Sequence, residues 1–350
     1  MRWCGLLLSF LPFSLGDEQL RAVNVYGLET ELAFQCGVSC CWANSNSFYV
    51  QKIADMGFNA IRLPFSAEYI KGNDYKFMDE VIGKAEELNI TIILDYHRTY
   101  ANHQGNWYET NLQDFQNIWY RVLSHYYDHQ NVKYVDLYNE FQDGVEKAKF
   151  WSDTMSSAIL YLENIFPNRF IWVVGGHDWG GSLENIKVNV SAELDKRVMY
   201  TVHKYQWSVR GDYENDYRVS FGGYSGDKLF VGEFGWIQDN PQQRQWGEMF
   251  LRYLKEHNIR NTALWCMSYY SGDTQGILKP NCLDVETEKL QMLKNFWSTD
   301  SNHRRMIFRN RNHSHPTFLI SSGNPDDQEV VLKYSPIPIP NDCYRLRGSP

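Results

Sequence analysis

The chain has 350 residues, of which 43% are apolar and 22% are charged, as in a folded globular protein and unlike a disordered or collagen-like chain. Its 34 Lys and Arg against 42 Asp and Glu give a net charge of −8, which argues against nucleic acid as a partner. The length fits either two ordinary domains or one α/β barrel.

Residues 1–16 are typical of a secretory signal peptide. Arg2 precedes the apolar run Trp3–Phe13, and small residues then lead to the polar pair Asp17 and Glu18. Because the run is too short to span a membrane, we expect the segment to be removed and the mature protein to be secreted, with no stable membrane association. A buried N-terminal helix is the alternative interpretation.

The composition of the mature chain suits an oxidising compartment. Removal of the signal peptide would leave an even number of cysteines, which favours disulfide bonds without indicating how they pair. Sequons at Asn89, Asn189 and Asn312 permit N-glycosylation. The remaining cysteines are Cys36, Cys40, Cys41, Cys266, Cys282 and Cys343.

Short apolar segments alternate with longer amphipathic ones from about residue 22 to residue 296. This alternation predicts parallel strands joined by helices, and eight such units predict an α/β protein with a (β/α)8 TIM barrel. An open doubly wound sheet is less consistent, since no glycine-rich phosphate turn follows the first strand. We expect the barrel to occupy residues 17–298, and residues 299–350 to form a C-terminal extension, a loosely packed tail.

The predicted strands are Ala22–Leu28, Phe58–Pro64, Thr91–His97, Val132–Asn139, Phe170–Val174, Met199–Lys204, Leu229–Glu233 and Asn261–Met267. Helical periodicity is clearest at Phe77–Leu88, Leu112–Tyr127, Lys147–Ile165, Gln242–His257 and Glu286–Asn295.

Polar side chains occur at the carboxyl ends of the predicted strands, where a TIM barrel carries its functional site. Glu140 and Glu233 each end an apolar strand, where a carboxylate is costly unless it is hydrogen-bonded or functional. Hydrolysis of a glycosidic bond needs two such groups, one to protonate the leaving oxygen and one to stabilise or capture the anomeric carbon. Structural ion pairs at the barrel rim are the alternative. The other strand-end candidates are Arg62, His97, Asn139, His203, Tyr205 and Trp265.

Six segments together carry a family resemblance. In order and in sequence they resemble the successive motifs of glycoside hydrolase family 5, especially its cellulase-type members. The resemblance covers about residues 23–296. The segments are Val23–Thr30, Gly57–Ser66, Ile92–Arg98, Asp136–Glu140, Val231–Gly235 and Ser271–Leu278.

The resemblance implies a retaining endo-β-1,4-glucanase in which Glu140 is the general acid and base and Glu233 is the nucleophile. It further implies that Asn139 holds the sugar 2-hydroxyl and that Arg62 and Tyr205 orient Glu233 and keep it ionised. By the same resemblance, hydrogen bonds to the sugar and the carboxylates come from His97 and His203, and the floor of the subsite on the non-reducing side comes from Trp265.

Two further features concern the loops. Trp107 and Trp179 fall in predicted loops past strand ends, where we expect them to bind sugar rings, although packing over the barrel rim is the alternative. Phe141 stands where the family usually has Pro after the acid/base Glu, and the pair Cys40 and Cys41 has no family counterpart.

We expect no metal and no cofactor. His125 and His129 lie one helical turn apart, but no third ligand accompanies them, so a solvated helix face is the better interpretation. The expected partner is a polysaccharide or oligosaccharide, bound by a monomer. The barrel motifs leave open another β-linked substrate, such as mannan, mixed-linkage glucan, chitosan or a glycosphingolipid, and a carbohydrate-binding barrel without turnover.

Overall fold

The structure, a computed structural model, describes residues 19–25, 27, 45–72, 75–100 and 105–298. Within these residues eight parallel strands pair in chain order, and the last pairs with the first to close a barrel. The predicted (β/α)8 TIM barrel is therefore confirmed. Its strands are β1 (Arg21–Asn24), β2 (Ala60–Ser66), β3 (Thr91–Arg98), β4 (Val132–Asp136), β5 (Ile171–Gly175), β6 (Val198–Lys204), β7 (Leu229–Phe234) and β8 (Asn261–Leu264).

The helices of the described residues surround this barrel. All five predicted helices are present, each with bounds within two residues of the prediction, because their apolar stripes face the barrel wall. Shorter or less periodic helices were not predicted. In chain order they are α1 (Asn46–Met56), α2 (Ala67–Lys71), α3 (Lys76–Glu87), α4 (Leu112–His125), α5 (Ala148–Ile165), α6 (Ala192–Asp195), α7 (Tyr213–Ser220), α8 (Pro241–Glu256) and α9 (Thr287–Trp297).

Three predicted strands extend too far at their carboxyl ends, namely those that become β1, β4 and β8. After Asp136 the chain leaves the regular ladder with β5, and the amide of Asn139 instead donates to the carbonyl of Tyr96 on β3 (3.0 Å). The apolar residues that follow β4 are buried as in a strand, so their composition does not reveal where the ladder ends.

The two-residue period of the strands decides what lies inside the barrel. A small apolar cluster fills the amino-terminal part of the interior and includes Ala60, Ile93 and Met199. The next inward positions on the same strands are Arg62, then Asp95 and His97, then Thr201 and His203. The interior therefore changes from apolar to polar toward the carboxyl ends of the strands.

Strand β7 contains an irregularity that moves one side chain. Its register with β6 shifts between Val202 and His203, so that Val202 pairs with Val231 but His203 pairs with Glu233. Gly232 is the additional residue of this bulge. Because of the bulge, Phe230 and Glu233 both contact groups inside the barrel although they are three residues apart.

Several predictions lie outside the described residues and stay predictions. They are the signal peptide at residues 1–16, the tail at residues 299–350, the sequon at Asn312 and the pairing of Cys36, Cys40, Cys41 and Cys343. No helix in the described ranges has the length and apolar character needed to cross a membrane.

Arg169 closes the amino-terminal side of the barrel. This buried side chain donates to the carbonyls of Tyr127, His129 and Val132 at 2.8–2.9 Å, which holds the segment before β4 against the start of β5. We expect Arg169→Met to lower the free energy of unfolding by about 3 kcal/mol, because three carbonyls lose a charged donor. Urea denaturation measures this, with the exposed Arg218→Met as the control; an equal effect of both variants would contradict the role.

Candidate active site

Arg62 lies at the centre of the polar end of the barrel. This fully buried guanidinium on β2 donates from Nη1 to Glu233 Oε1 and to Asn24 Oδ1, each at 2.9 Å. From Nη2 it donates to Asn139 Oδ1, also at 2.9 Å. One side chain therefore orients groups from β1, β7 and the segment after β4.

Two aspartates hold Arg62 from neighbouring strands. Its Nε donates to Asp136 Oδ2 at 2.9 Å, and its Nη1 lies 3.1 Å from Asp95 Oδ2. Burial raises the pKa of both carboxyls to about 7, although the charge of Arg62 acts in the opposite direction. The two aspartates thus retain protons far more readily than exposed ones, which limits the negative charge beneath the site.

Glu233 accepts a hydrogen bond on each carboxylate oxygen. Arg62 donates to Oε1, and the Tyr205 hydroxyl donates to Oε2 at 2.7 Å. Burial and the Glu233 charge raise the pKa of Tyr205 well above 10, so Tyr205 stays a donor. These two donors fix the orientation of the carboxylate and stabilise its ionised form.

Glu140 lies opposite Glu233 in a different environment. Its side chain is 18% exposed against 5% for Glu233. His203 Nδ1 lies between the two, 3.1 Å from Glu140 Oε1 and 3.7 Å from Glu233 Oε2. Burial lowers the pKa of His203 to about 4, so the imidazole is neutral near pH 7. Oxygens of the two carboxylates approach within 4.8 Å of each other.

His97 and Trp265 form another wall. His97 Nδ1 lies 2.7 Å from Asp95 Oδ2, and its Nε2 lies 3.3 Å from Asn139 Nδ2. Because Asn139 Oδ1 accepts from Arg62, its amide nitrogen faces His97 and donates to Nε2. The Trp265 ring stacks on His97 with centroids 5.4 Å apart. The amide of Asn139 is thereby held in one orientation.

The structure brings together eight of the ten predicted site residues in one network of hydrogen bonds, short polar contacts and ring contacts. They are Arg62, His97, Asn139, Glu140, His203, Tyr205, Glu233 and Trp265.

The structure corrects the prediction for Trp107. This side chain is buried, with its ring packed at steep angles against Phe115, Tyr138 and Trp151. Its faces are covered by other rings, so it stabilises the loop after β3 and does not present a surface to a sugar. The loop after β3 is followed directly by α4, and the apolar face of α4 packs against the indole through Phe115.

Trp179 is exposed, as the prediction requires, and so is Trp207. Their exposed fractions are 40% and 44%. Trp207 stacks on Tyr205, with centroids 4.5 Å apart, and the hydroxyl of Tyr205 donates to Glu233. Gly180, next to Trp179, has φ +67°, and a Cβ there would lie 3.1 Å from His203 Nδ1. Trp179 therefore lies next to a residue that approaches His203, and Trp207 lies beside Tyr205, which donates to Glu233.

Phe141 takes the position usually held by Pro without loosening the loop. Its ring stacks on Trp151 at a centroid distance of 4.3 Å, and its carbonyl accepts from the Trp179 amide at 2.8 Å. Aromatic packing thus immobilises the backbone next to Glu140, a role that proline would fill through its restricted φ.

Three partners of Arg62 were not predicted as site residues: Asn24, Asp95 and Asp136. Period-two spacing contains a signal for one of them, since Asp95 precedes His97 by two residues and must share its face. Asn24 is in register with Arg62 on the adjacent strand β1, whereas Asp136 on β4 lies two strands away and reaches Arg62 across the barrel interior.

Lys289 is a further supporting residue that sequence reasoning missed. Its buried ammonium donates to the carbonyls of Trp236, Thr274 and Gly276, in the loops after β7 and β8. Thr274 in turn donates to the carbonyl of Trp265 at 2.6 Å. A lysine on an amphipathic helix indicates a solvated face, so only the packed structure reveals this contact.

Glu140, His203 and Glu233 are the one group of three potential metal ligands found in the described ranges. Their geometry does not suit a cation, since the Glu233 oxygens already accept from Arg62 and Tyr205 and the guanidinium charge lies 2.9 Å away. The absence of a metal stays a prediction.

His125 and His129, considered as a zinc pair, point to different carboxylates of α3. His125 Nε2 lies 2.9 Å from Asp79 Oδ1, and His129 Nδ1 lies 3.0 Å from Glu86 Oε2. Both imidazoles thus make partly exposed contacts with α3, His125 from the last residue of α4 and His129 from the segment after it.

Comparison with known proteins gives a consistent family. The model of the family "Cellulase (glycosyl hydrolase family 5)" matches residues 21–271. The chain is 27% identical to the major extracellular endoglucanase of Xanthomonas campestris pv. campestris, over 81% of this chain and 69% of that protein. It is 26% identical to an endoglucanase of Paenibacillus polymyxa, over 79% of this chain and 82% of the relative.

Solved structures share the fold. The endocellulase of Pyrococcus horikoshii, in a complex with cellotetraose, superposes with a TM-score of 0.69 at 22% identity, covering 80% of this chain and 93% of that one. The catalytic domain of the Xanthomonas campestris endoglucanase also gives a TM-score of 0.69 at 22% identity, with 81% and 95% covered.

The raised pKa of the buried aspartates predicts a pH dependence of stability. Because the folded state keeps protons on Asp95 and Asp136 up to about pH 7, this contribution is complete below about pH 4 and is lost as the pH rises through 7. The side-chain amide of the Asp136→Asn variant has no proton to lose in this range. We therefore expect the melting temperature of the variant, relative to that of the wild type, to be several degrees higher at pH 7.5 than at pH 4.5.

Calorimetry across this pH range measures the effect, and Asp153→Asn, which removes an exposed carboxylate, serves as the matched control. If the melting temperatures of the wild type and Asp136→Asn change with pH in parallel, the burial of a proton at this pair of aspartates is contradicted.

Proposed function

The chain belongs to the cellulase family, glycosyl hydrolase family 5, and we propose that this glycoside hydrolase is a secreted endo-β-1,4-glucanase acting with retention of configuration. Its substrates are cellulose or related β-glucans. The observation that carries the proposal is the close approach of two carboxylates in unlike environments at the carboxyl ends of the strands.

The spacing of the carboxylates favours a covalent intermediate. Oxygens of Glu140 and Glu233 lie within 4.8 Å of each other. Retaining enzymes hold their two carboxyl groups about 5–5.5 Å apart, whereas inverting enzymes need about 6.5–9.5 Å to admit a water molecule. The short separation leaves room for the sugar carbon but not for a water behind it.

The environments of the carboxylates assign their roles. Glu233, whose oxygens accept from Arg62 and Tyr205, serves as the nucleophile: an oxygen attacks the anomeric carbon, and the bond to the leaving oxygen breaks. Glu140, nearer to solvent, gives its proton to that oxygen. In the second step Glu140 takes a proton from water, whose oxygen attacks the anomeric carbon and releases Glu233. Arg62 and Tyr205 stabilise the departing carboxylate.

The proposed glucan substrate and the proposed secretion are supported by observations other than the carboxylate geometry. Two relatives in different bacteria are named endoglucanases, and one of them is described as extracellular. The structure of the Pyrococcus horikoshii enzyme holds cellotetraose. Together with the exposed Trp179 and Trp207, which offer flat apolar faces for β-linked sugars, these names favour a glucan. The predicted signal peptide favours secretion.

Glu140 and Glu233 should be separable by chemistry. We expect Glu140→Gln and Glu233→Gln to lower the rate of reducing-sugar release from carboxymethylcellulose by about 10²–10⁴-fold. The exposed Glu248→Gln is the matched control and should keep wild-type activity.

Azide rescue distinguishes the two roles. In a retaining enzyme acting on an activated cellobioside, azide should restore activity to Glu233→Ala and give an α-glycosyl azide. It should restore activity to Glu140→Ala and give a β-glycosyl azide.

The stereochemistry of the first product tests retention directly. Proton NMR during cellooligosaccharide hydrolysis should show the β-anomer before mutarotation. Initial release of the α-anomer would contradict the double displacement, and full activity of either Gln variant would contradict the assignment of the pair.

Trp179 and Trp107 should respond differently to substitution. We expect Trp179→Ala to raise the KM for cellooligosaccharides about three- to tenfold, because a stacking surface is lost, without changing stability. Trp107→Phe should instead lower the free energy of unfolding by about 1–3 kcal/mol and leave KM unchanged. Kinetics and urea denaturation of both variants distinguish the roles; a KM effect confined to Trp107→Phe would reverse the assignment.

A further inference from the structure

Thr201 lies two residues before His203 on β6, so both side chains face the barrel interior. Both are buried. Neither Thr201 Oγ1 nor His203 Nε2 has a hydrogen-bond partner among the described residues. Two buried polar atoms in this state on one strand face call for an explanation, because an unsatisfied buried group costs free energy.

The two atoms are neighbours across a glycine. A Cβ placed on Gly232 of β7 would collide with Thr201 Oγ1 and would lie 3.0 Å from His203 Nε2. On the other side of Thr201, a Cβ on Gly175 of β5 would lie 3.8 Å from the Thr201 methyl. The threonine therefore directs its methyl to β5 and its hydroxyl to β7, the side on which His203 Nε2 lies.

The charges around His203 indicate which ring nitrogen carries the proton. Nδ1 faces the carboxylates of Glu140 and Glu233 at 3.1 and 3.7 Å, and Gly180 in the loop after β5 comes close to the same nitrogen. Arg62 and Tyr205 act on the imidazole through Glu233, to which both donate. An unprotonated Nδ1 would place a lone pair against carboxylate oxygens, so the proton belongs on Nδ1 and Nε2 needs a donor.

We propose that Thr201 is a positioning residue whose hydroxyl acts on His203 Nε2 through one bridging water, which donates to Nε2, and thereby holds the imidazole in the tautomer whose Nδ1–H donates to Glu140. This inference rests on the proposed role of Glu140 as acid and base. It adds a group that does not touch the substrate and acts through His203.

This tautomer serves both halves of the reaction. Nδ1–H donates to Glu140 Oε1 while the other oxygen carries the proton for the leaving group, and it donates to the same Oε1 once Glu140 is ionised. In the alternative tautomer, Nδ1 accepts the Glu140 proton and draws it away from the leaving oxygen. The water held by the Thr201 hydroxyl disfavours that alternative because it donates to the Nε2 lone pair.

The experiment compares the full mature chain with Thr201→Val, which is isosteric and lacks the hydroxyl, and Thr201→Ser, which retains it. Long-range ¹H–¹⁵N spectra of histidine-labelled protein, assigned with His203→Gln, report the tautomer without any substrate. We expect the Nδ1–H form in the wild type and in Thr201→Ser, and a shift toward the Nε2–H form in Thr201→Val.

Kinetics of the same variants give a second readout. Thr201→Val should lower kcat on an activated cellobioside about tenfold, the effect of one hydrogen bond, with KM within about twofold. The alkaline limb of the pH–activity profile of Thr201→Val should move to higher pH. In this variant protonated Glu140 donates to Nδ1, which stabilises its protonated form. Thr201→Ser should restore the wild-type pH profile, and melting curves establish that each variant is folded; Thr201→Ala replaces Thr201→Val if that variant does not fold.

The outcomes separate this inference from the proposed function. An Nε2–H tautomer in the wild type, or a wild-type tautomer and pH profile in folded Thr201→Val, would overturn the role of Thr201. A wild type that shows the expected tautomer but hydrolyses no β-glucan would overturn the proposed function and leave the hydrogen bond to His203 established.

Discussion

The burial of Arg62 is the constraint on which the site depends. A guanidinium inside a barrel is tolerated only when acidic and polar partners surround it, and loss of one partner leaves a charge without compensation. Here Asp95 and Asp136 accept hydrogen bonds or lie in close polar contact from below, and the Glu233 carboxylate pairs with the guanidinium from above. Glu233, the proposed nucleophile, is therefore part of the group that makes the buried cation stable.

The other carboxylate of the site has different surroundings. Glu140 lies beyond the end of β4, nearer to solvent than Glu233, and contacts the neutral imidazole of His203. Two carboxylates in one site thus acquire different roles from different surroundings. The packing of Phe141 on Trp151 keeps this difference stable, because the backbone that carries Glu140 cannot drift toward Arg62.

Small departures from regular geometry position the reactive groups. The bulge at Gly232 turns Glu233 inward, and the same glycine leaves room for the Thr201 hydroxyl beside His203. Gly180 likewise lets the loop after β5 approach the other side of that imidazole. One glycine in the bulge of β7 and one in the loop after β5 therefore set the position of this histidine, and the aromatic residues of the outer loops border the site that results.

The sequence by itself determined the barrel, the ends of most strands and the eight residues that meet at one end of it, because strand period and motif order are local properties of the chain. Only the tertiary structure decided that Trp107 is covered while Trp179 is exposed, since burial of a loop side chain depends on which helices pack against it. Folding of the sheet into a barrel likewise brought Asp136, two strands away, to Arg62, and packing of α9 brought Lys289 to three carbonyls. These contacts join residues far apart in the chain, and no local pattern encodes them.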